Sequence, residues 1–164
     1  GRGGARRREP ADTWLLHVRP RLEGPGAVLV VAAGGVVDAG PWGDVLTLEA
    51  QQRGLAALVL DGAVRDSQDI IAAGFPVFTR GVCIRKTTKV PRGDVDIPVT
   101  IGGQLVPPGD AILGDADGLV VVPAAELDQA IERGRECERK ENEMRRRILE
   151  GATTLDLLGL PQPR

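Results

Sequence analysis

The chain has 164 residues, 42% hydrophobic and 27% charged, with a formal net charge of -2. That length suits one domain with a sizeable core, and the charge gives no general pull toward nucleic acid or an anionic membrane. No run approaches the ~18 apolar residues that cross a bilayer, and there is no apolar signal-peptide core, so a cytoplasmic protein is expected that touches neither membrane nor, directly, nucleic acid.

Residues 1–12, "GRGGARRREPAD", are locally basic and lack any hydrophobic period. They read as a flexible, solvated arm rather than a nucleic-acid tail, leaving 13–164 as a single domain. The four aromatics are Trp14, Trp42, Phe75 and Phe78, so the core must be built from Val, Leu, Ile and Ala.

From Ala27, "AVLVVAA" is a continuous aliphatic run of strand length, as expected where both faces of a strand are covered. "GGVVDAGP" supplies a loop, and Pro41 suits a first helical turn. A helix is predicted over Trp42–Arg53, with Trp42, Val45, Leu46 and Ala50 on one side and Gly54 as its C-cap. "LAALVL" at 55–60 predicts a second buried strand, and "DGAVRD" a loop. A short helix from Ser67, capped by Asp66 or Ser67, and a strand around "PVF" follow.

Strands joined by helical crossovers are normally parallel. The loops after Ala33 and after Leu60 should therefore open at one edge of the sheet, the edge at which open α/β sheets bind ligands. Gly34–Asp44 and Asp61–Asp66 are expected to converge there.

The second half, "VDIPVTIGGQLVPPGDAILGDADGLVVVP", is broken by Gly-Gly, Pro-Pro-Gly-Asp and Asp-Ala-Asp-Gly. It predicts antiparallel hairpins in a small layered or barrel-like sheet. Ala124–Glu150 predicts one long, charged helix with a thin stripe of Leu127, Ile131, Gly134, Cys137, Met144 and Ile148. Glu141 falls on that stripe. A carboxylate on a packed face is costly unless something meets it; the alternative is a salt bridge to a nearby arginine.

Most catalytic patterns are missing. There is no G-x-S-x-G and no P-loop, G-x-G-x-x-G is not satisfied, and "DADG" reads as a hairpin turn rather than a calcium loop. Cys83 and Cys137 stand alone, without CxxC spacing, as buried or incidental thiols. His17 is the one histidine. Any metal would therefore be held mostly by oxygen ligands, which points to magnesium or manganese.

What remains is Asp44 and, after twenty intervening residues, Arg65-Asp66, around a glycine-rich loop at a helix start. Free amides there bind carboxylate or phosphate oxygens, and an arginine fork suits a carboxylate or enolate oxygen. Asp66 could hold a divalent cation that polarises a carbonyl. These are the parts needed to bind a 2-oxo acid and stabilise its enolate. The competing reading gives Asp44 a helix-dipole role, makes Asp66 a cap, and pairs Arg65 with either.

The Gly43-Asp44 pair, the spacing to Arg65-Asp66 within "GLAALVLDGAVRD", and "GFPVF" closely resemble the RraA-like family. The likeness runs through the hairpin region into "RKENEMRRRILEG", covering about Pro25–Gly151. The family includes class II 4-hydroxy-4-methyl-2-oxoglutarate / 4-carboxy-4-hydroxy-2-oxoadipate aldolases and regulators of ribonuclease E activity.

The resemblance implies a three-layer β/β/α swivelling phosphohistidine-domain-like fold with a long C-terminal helix, assembled as trimers or hexamers. It implies a lyase dependent on Mg2+ or Mn2+ that cleaves 4-hydroxy-2-oxo acids to pyruvate and a second oxo acid, with oxaloacetate decarboxylation as a related reaction. Asp66 would hold the metal, its shell completed largely by waters. Arg65 would contact the pyruvyl oxygen and stabilise the enolate. Asp44 would orient water held by the cation or help the proton transfer.

The backbone at Gly43, Asp44, Val45 and Leu46 would take the substrate carboxylate. Glu141 of a neighbouring subunit, with Glu138 as the fallback, would reach the metal's waters. The alternative function is a non-catalytic, ring-shaped regulator docked on a ribonuclease or another protein. Only 24 residues precede Pro25, so the N-terminal part is expected to be shortened relative to the family.

Overall fold

The computed structural model describes residues 24–87 and 93–161. The expected arm at 1–12, and Trp14 and His17, lie outside the described residues. The first half alternates as the periodicity predicts: β1 (Val28–Val36), α1 (Asp44–Gln52), β2 (Ala57–Val64), α2 (Ser67–Ala72) and β3 (Val77–Val82). The three strands pair in the order β1-β2-β3, all parallel.

All eight residues of β2 are buried, which is why its sequence shows no polar alternation. Leu58 and Leu60 of β2 pack with Leu46 and Ala50 of α1, Ile70 of α2, and Trp42, Leu29, Val64 and Phe75. The helices α1 and α2 touch one another, as consecutive crossovers stepping the same way across a sheet require.

Several boundaries differ from expectation, each for a local reason. The strand β1 does not end at Ala33; it continues through Gly34 and Gly35, at φ 68° and 72°, to Val36. Glycine tolerates this left-handed backbone, so the strand swells into an excursion and pairs again at Val36 with Gly62. Likewise "DGAV", expected as loop, is the last half of β2.

The helix α1 starts at Asp44, not Trp42. Trp42 is extended and forms an isolated parallel bridge with Val64. Its indole is fully buried, and Nε1 donates to Thr47 Oγ1 at 2.8 Å. Val45, expected on the packed side of the helix, is 66% exposed, while Thr47 is buried in its place. Starting two residues later rotates the apolar face from Val45 to Leu46, Thr47 and Ala50.

In the second half, β4 (Val99–Ile101) and β5 (Gln104–Val106) form an antiparallel hairpin over Gly102-Gly103, and β4 lies against β1. A further two-stranded sheet joins β6 (Ala111–Gly114) and β7 (Leu119–Val122). "GDADG" is the turn expected of it: the Asp115 carboxylate accepts from the amides of Asp117 and Gly118.

A 3-10 turn leads into α3 (Leu127–Leu149), the expected long helix. The short α4 (Thr154–Leu158) was not anticipated, although Thr153 and Asp156 form a capping box that is legible as T-x-x-D. The fold is thus mixed α/β, with several small sheets and a long C-terminal helix.

The chain divides into two compact units. One holds the residues up to Pro108 together with Gly114–Val121; the other holds Gly109–Leu113 and the chain from Val122 onward. No helix among the described residues is long and apolar enough to cross a membrane.

Candidate active site

The two loops predicted to converge do so through the backbone. Arg65 N donates to Trp42 O at 2.8 Å, which lays the end of the first loop along the end of β2. Two glycines permit the approach. A Cβ on Gly40 would collide with Cys83 O and lie 2.9 Å from Arg65 N. One on Gly43 would collide with the Asp66 carboxylate and lie 3.0 Å from Arg65 Cγ and Cζ. Asp44 follows Gly43 directly and opens α1.

Arg65 is held from both sides. Its Nη1 donates to Gly40 O at 2.9 Å and Pro41 O at 3.4 Å, while Nε lies 3.2 Å from Asp66 Oδ2. Its Nη2 has no partner among the described residues. The side chain is 22% exposed.

Asp66 occupies the N-cap position of α2, yet its side chain makes no capping hydrogen bond. The residue is left-handed, at φ 56° and ψ 37°, a conformation that costs a non-glycine residue energy although aspartate tolerates it better than most. Its carboxylate is instead turned to Arg65 and the Gly43 backbone. Of the two readings open from sequence, capping by Asp66 is therefore not what the structure shows.

The start of α1 leaves backbone amides without an intrahelical partner. Thr47 N makes the first helical hydrogen bond, to Gly43 O at 3.0 Å, and Gly43 offers no side-chain cap. The amides of Asp44, Val45 and Leu46 thus have no intrahelical acceptor, at the positive end of the helix. The Asp44 side chain is exposed and has no partner among the described residues.

Gly43, Asp44, Arg65 and Asp66 are therefore one cluster. Glu138 and Glu141 belong to α3, in the other compact unit. The expectation that the α3 stripe packs inward is not met within a single chain, since no residue of this helix is buried. Glu141 is half exposed and pairs with Arg145 at 2.9 Å, the bland alternative considered above. Cys83 is half-buried and Cys137 exposed; both are free thiols.

Two features escaped the sequence reading. Gly40 has no motif around it. Asp61, buried in β2, pairs with Arg80 of β3, nineteen positions further on, and that separation gives the contact no sequence signature.

The RraA-like family model, described as Aldolase/RraA, matches residues 6–121, a span that contains the whole cluster. An uncharacterized protein of Methanocaldococcus jannaschii is 36% identical over 133 residues, 81% of this chain and 64% of that one. A protein of Halalkalibacterium halodurans named "Putative 4-hydroxy-4-methyl-2-oxoglutarate aldolase" is 34% identical over 125 residues, 76% of this chain and 59% of that one. The chain thus spans about three fifths of the length of these relatives.

Among solved structures, Streptomyces coelicolor RraAS2, described as an unusual member of the RNase ES inhibitor RraA protein family, superposes with a TM-score of 0.73 at 32% identity. That match covers 79% of this chain and 67% of the other. With more than half its length matched by the family model, this chain is a member of the RraA-like family.

Proposed function

We propose that this protein is a divalent-metal-dependent lyase that cleaves 4-hydroxy-2-oxo acids to pyruvate and a second oxo acid through a pyruvate enolate, with oxaloacetate decarboxylation as a related reaction. The observation that carries this reading is Asp66: a carboxylate at a helix cap that leaves the helix amides alone and lies beside Arg65. The aldolase name borne by the Halalkalibacterium relative agrees with it.

The donor set fits a hard cation. Among the described residues no three His, Cys, Asp or Glu side chains group together, so this chain's share of a coordination shell is one or two carboxylates. Mg2+ binds in that way, keeping several waters, and Mn2+ accepts the same oxygen donors. Asp66 would hold the ion, which supplies Lewis acidity to the 2-oxo group when bound.

The chain's own groups account for the rest. The amides of Asp44, Val45 and Leu46 receive the substrate's C1 carboxylate. The open Nη2 of Arg65 donates to the C2 oxygen. As the C4 hydroxyl loses its proton, the C3–C4 bond breaks; C4 becomes the carbonyl of the second oxo acid, and the bonding pair passes into the C2–C3 enolate. Its oxygen carries negative charge against the Arg65 guanidinium, so Arg65 binds the transition state more tightly than the ground state.

Protonation at C3 then gives pyruvate, and Asp44, exposed and unpaired among the described residues, is the group assigned to moving that proton. Oxaloacetate reaches the same enolate by loss of carbon dioxide. In a trimer or hexamer, Glu141, or Glu138, of a neighbouring copy would complete the site.

The test is pyruvate release from 4-hydroxy-4-methyl-2-oxoglutarate and from oxaloacetate with Mg2+ or Mn2+. Release should cease with chelator and fall by about a thousandfold in Arg65→Ala and in Asp66→Ala; activity undiminished by both substitutions overturns the assignment. A second reading, a non-catalytic ring that docks on a ribonuclease, draws on the likeness to RraAS2. It is favoured if no 2-oxo acid releases pyruvate while a ribonuclease co-purifies with the chain.

A further inference from the structure

We infer that Asp61 and Arg80 are positioning residues that set where Arg65 and Asp66 point. Only the kinetic arm of the test below rests on the lyase reading.

Both strand ladders lose register at Asp61. Between β1 and β2, Val31 pairs with Leu60 and the next pair is Val36 with Gly62, so four residues of β1 stand against Asp61 alone. Between β2 and β3, Leu60 pairs with Thr79 and the next pair is Ala63 with Gly81, so Asp61 and Gly62 stand against Arg80 alone. Beyond this break β2 has two residues left, Ala63 and Val64, before it delivers Arg65 and Asp66 to the edge. The offset taken up at Asp61 and Gly62 therefore fixes the position and twist with which the two site residues emerge.

Pairing resumes at Gly62 and Ala63, but Asp61 itself has no ladder partner on either side, so at that residue backbone pairing does not hold the offset. Side chains hold it instead. The Asp61 carboxylate pairs with the Arg80 guanidinium across the bulge. Thr79 Oγ1 donates to Gly62 O at 2.7 Å. Gly62 is wedged so closely that a Cβ there would lie 3.1 Å from both Ala33 Cβ and Val36 O.

Arg80 also reaches across β2 to β1, with Nε 3.7 Å from where a Gly35 Cβ would be. The pair thus ties β2 to β3 at the level of the register break, with the Arg80 side chain lying beside Gly35 of β1. The Asp61 side chain is 9% exposed and that of Arg80 50% exposed. A buried carboxylate with a single cationic partner moves its strand when that partner is lost, because the charge must find water or another donor.

The experiment compares wild type, Asp61→Asn, Arg80→Lys, Arg80→Gln and the uncharged pair Asp61→Asn/Arg80→Gln. One readout is the Arg65 Nε–H signal in proton–nitrogen correlation spectra, assigned by its disappearance in Arg65→Lys. The other is pyruvate-release kinetics normalised to folded protein. The Arg65 signal, which reports the contact with Asp66, should shift in Asp61→Asn and Arg80→Gln and return most of the way in Arg80→Lys.

In the same variants kcat should fall about tenfold or more, since misplacement of this order is costly to catalysis. KM should change less than about threefold, because the carboxylate-binding amides of α1 are untouched. The double variant, which buries no unpaired charge, should fold and still show the shifted signal. An Arg65 signal unmoved in the folded double variant overturns the inference, as does an activity loss that only tracks the folded fraction. A shifted signal in a protein whose wild type releases no pyruvate retains the positioning role and rejects the lyase reading instead.

Discussion

Gly43 lies against the carboxylate of Asp66: a side chain on Gly43 would occupy the space that the Asp66 oxygen already fills. The reason is steric rather than conformational. Gly43 has φ -153° and ψ -166°, an extended backbone that any residue adopts. Gly43→Ala should therefore fold but push Asp66 and Arg65 aside. Pyruvate release should drop about 100-fold, in line with an ångström-scale misplacement at a reacting centre. Steady-state kinetics beside a thermal melt would check this, and wild-type kinetics in the alanine variant would show that the contact has no consequence.

Removing the charged groups should act more severely than moving them. Arg65→Ala and Asp66→Ala are each expected to lower kcat/KM by about a thousandfold, the scale on which loss of transition-state charge stabilisation is felt. Asp66→Asn should also weaken binding of Mn2+, measured by the paramagnetic broadening of water protons. Undiminished Mn2+ binding in that variant would overturn the proposed role of Asp66 as a metal ligand.

The scaffold beneath the site depends on one buried hydrogen bond. Trp42 Nε1 donates to Thr47 Oγ1 at 2.8 Å, and the two residues are 0% and 1% exposed. Thr47→Val strands the indole N–H in the core, at a cost of about 1–3 kcal/mol. Denaturant unfolding should show this as a lower midpoint with an unchanged slope. Since Trp42 also bridges Val64, the Arg65 contacts should loosen in parallel.

On α3, the Glu136 carboxyl lies below the ordinary carboxylate range, chiefly through hydrogen bonds from Arg139 and then Lys140. Glu143 is lowered chiefly by a hydrogen bond from Arg146. A carboxyl lowered on folding adds stability that is complete above its unfolded value and lost as pH falls through the folded one. Helicity by far-ultraviolet circular dichroism should thus weaken as pH is lowered below about 4. These pairs are exposed, so the loss should be small and smaller still in high salt. Glu136→Gln/Glu143→Gln should flatten the response.

Much of this architecture was legible because it is local. The unbroken aliphatic run of β2 announces a strand covered on both faces, and the crossovers make the sheet parallel. From that it follows that the loop before Asp44 and the Arg65-Asp66 turn share an edge. The bulges were not legible. A strand that swells at Gly34-Gly35 and one that ends there look alike in sequence, since glycine serves both.

By itself, then, the sequence determined the strand and helix order, a largely aliphatic core, to which the structure adds Trp42 and Phe75, the convergence of Gly43-Asp44 with Arg65-Asp66, and the family likeness. These rest on periodicity, crossover geometry and motif spacing, all of which are short-range. Tertiary structure alone decided that Trp42 leaves the helix to bridge Val64 and that Asp66 forgoes its cap for Arg65 and Gly43. It alone decided that Asp61 meets Arg80 where the strands slip. Each of these is a competition between a local partner and a distant one, and only packing brings the distant partner close enough to win.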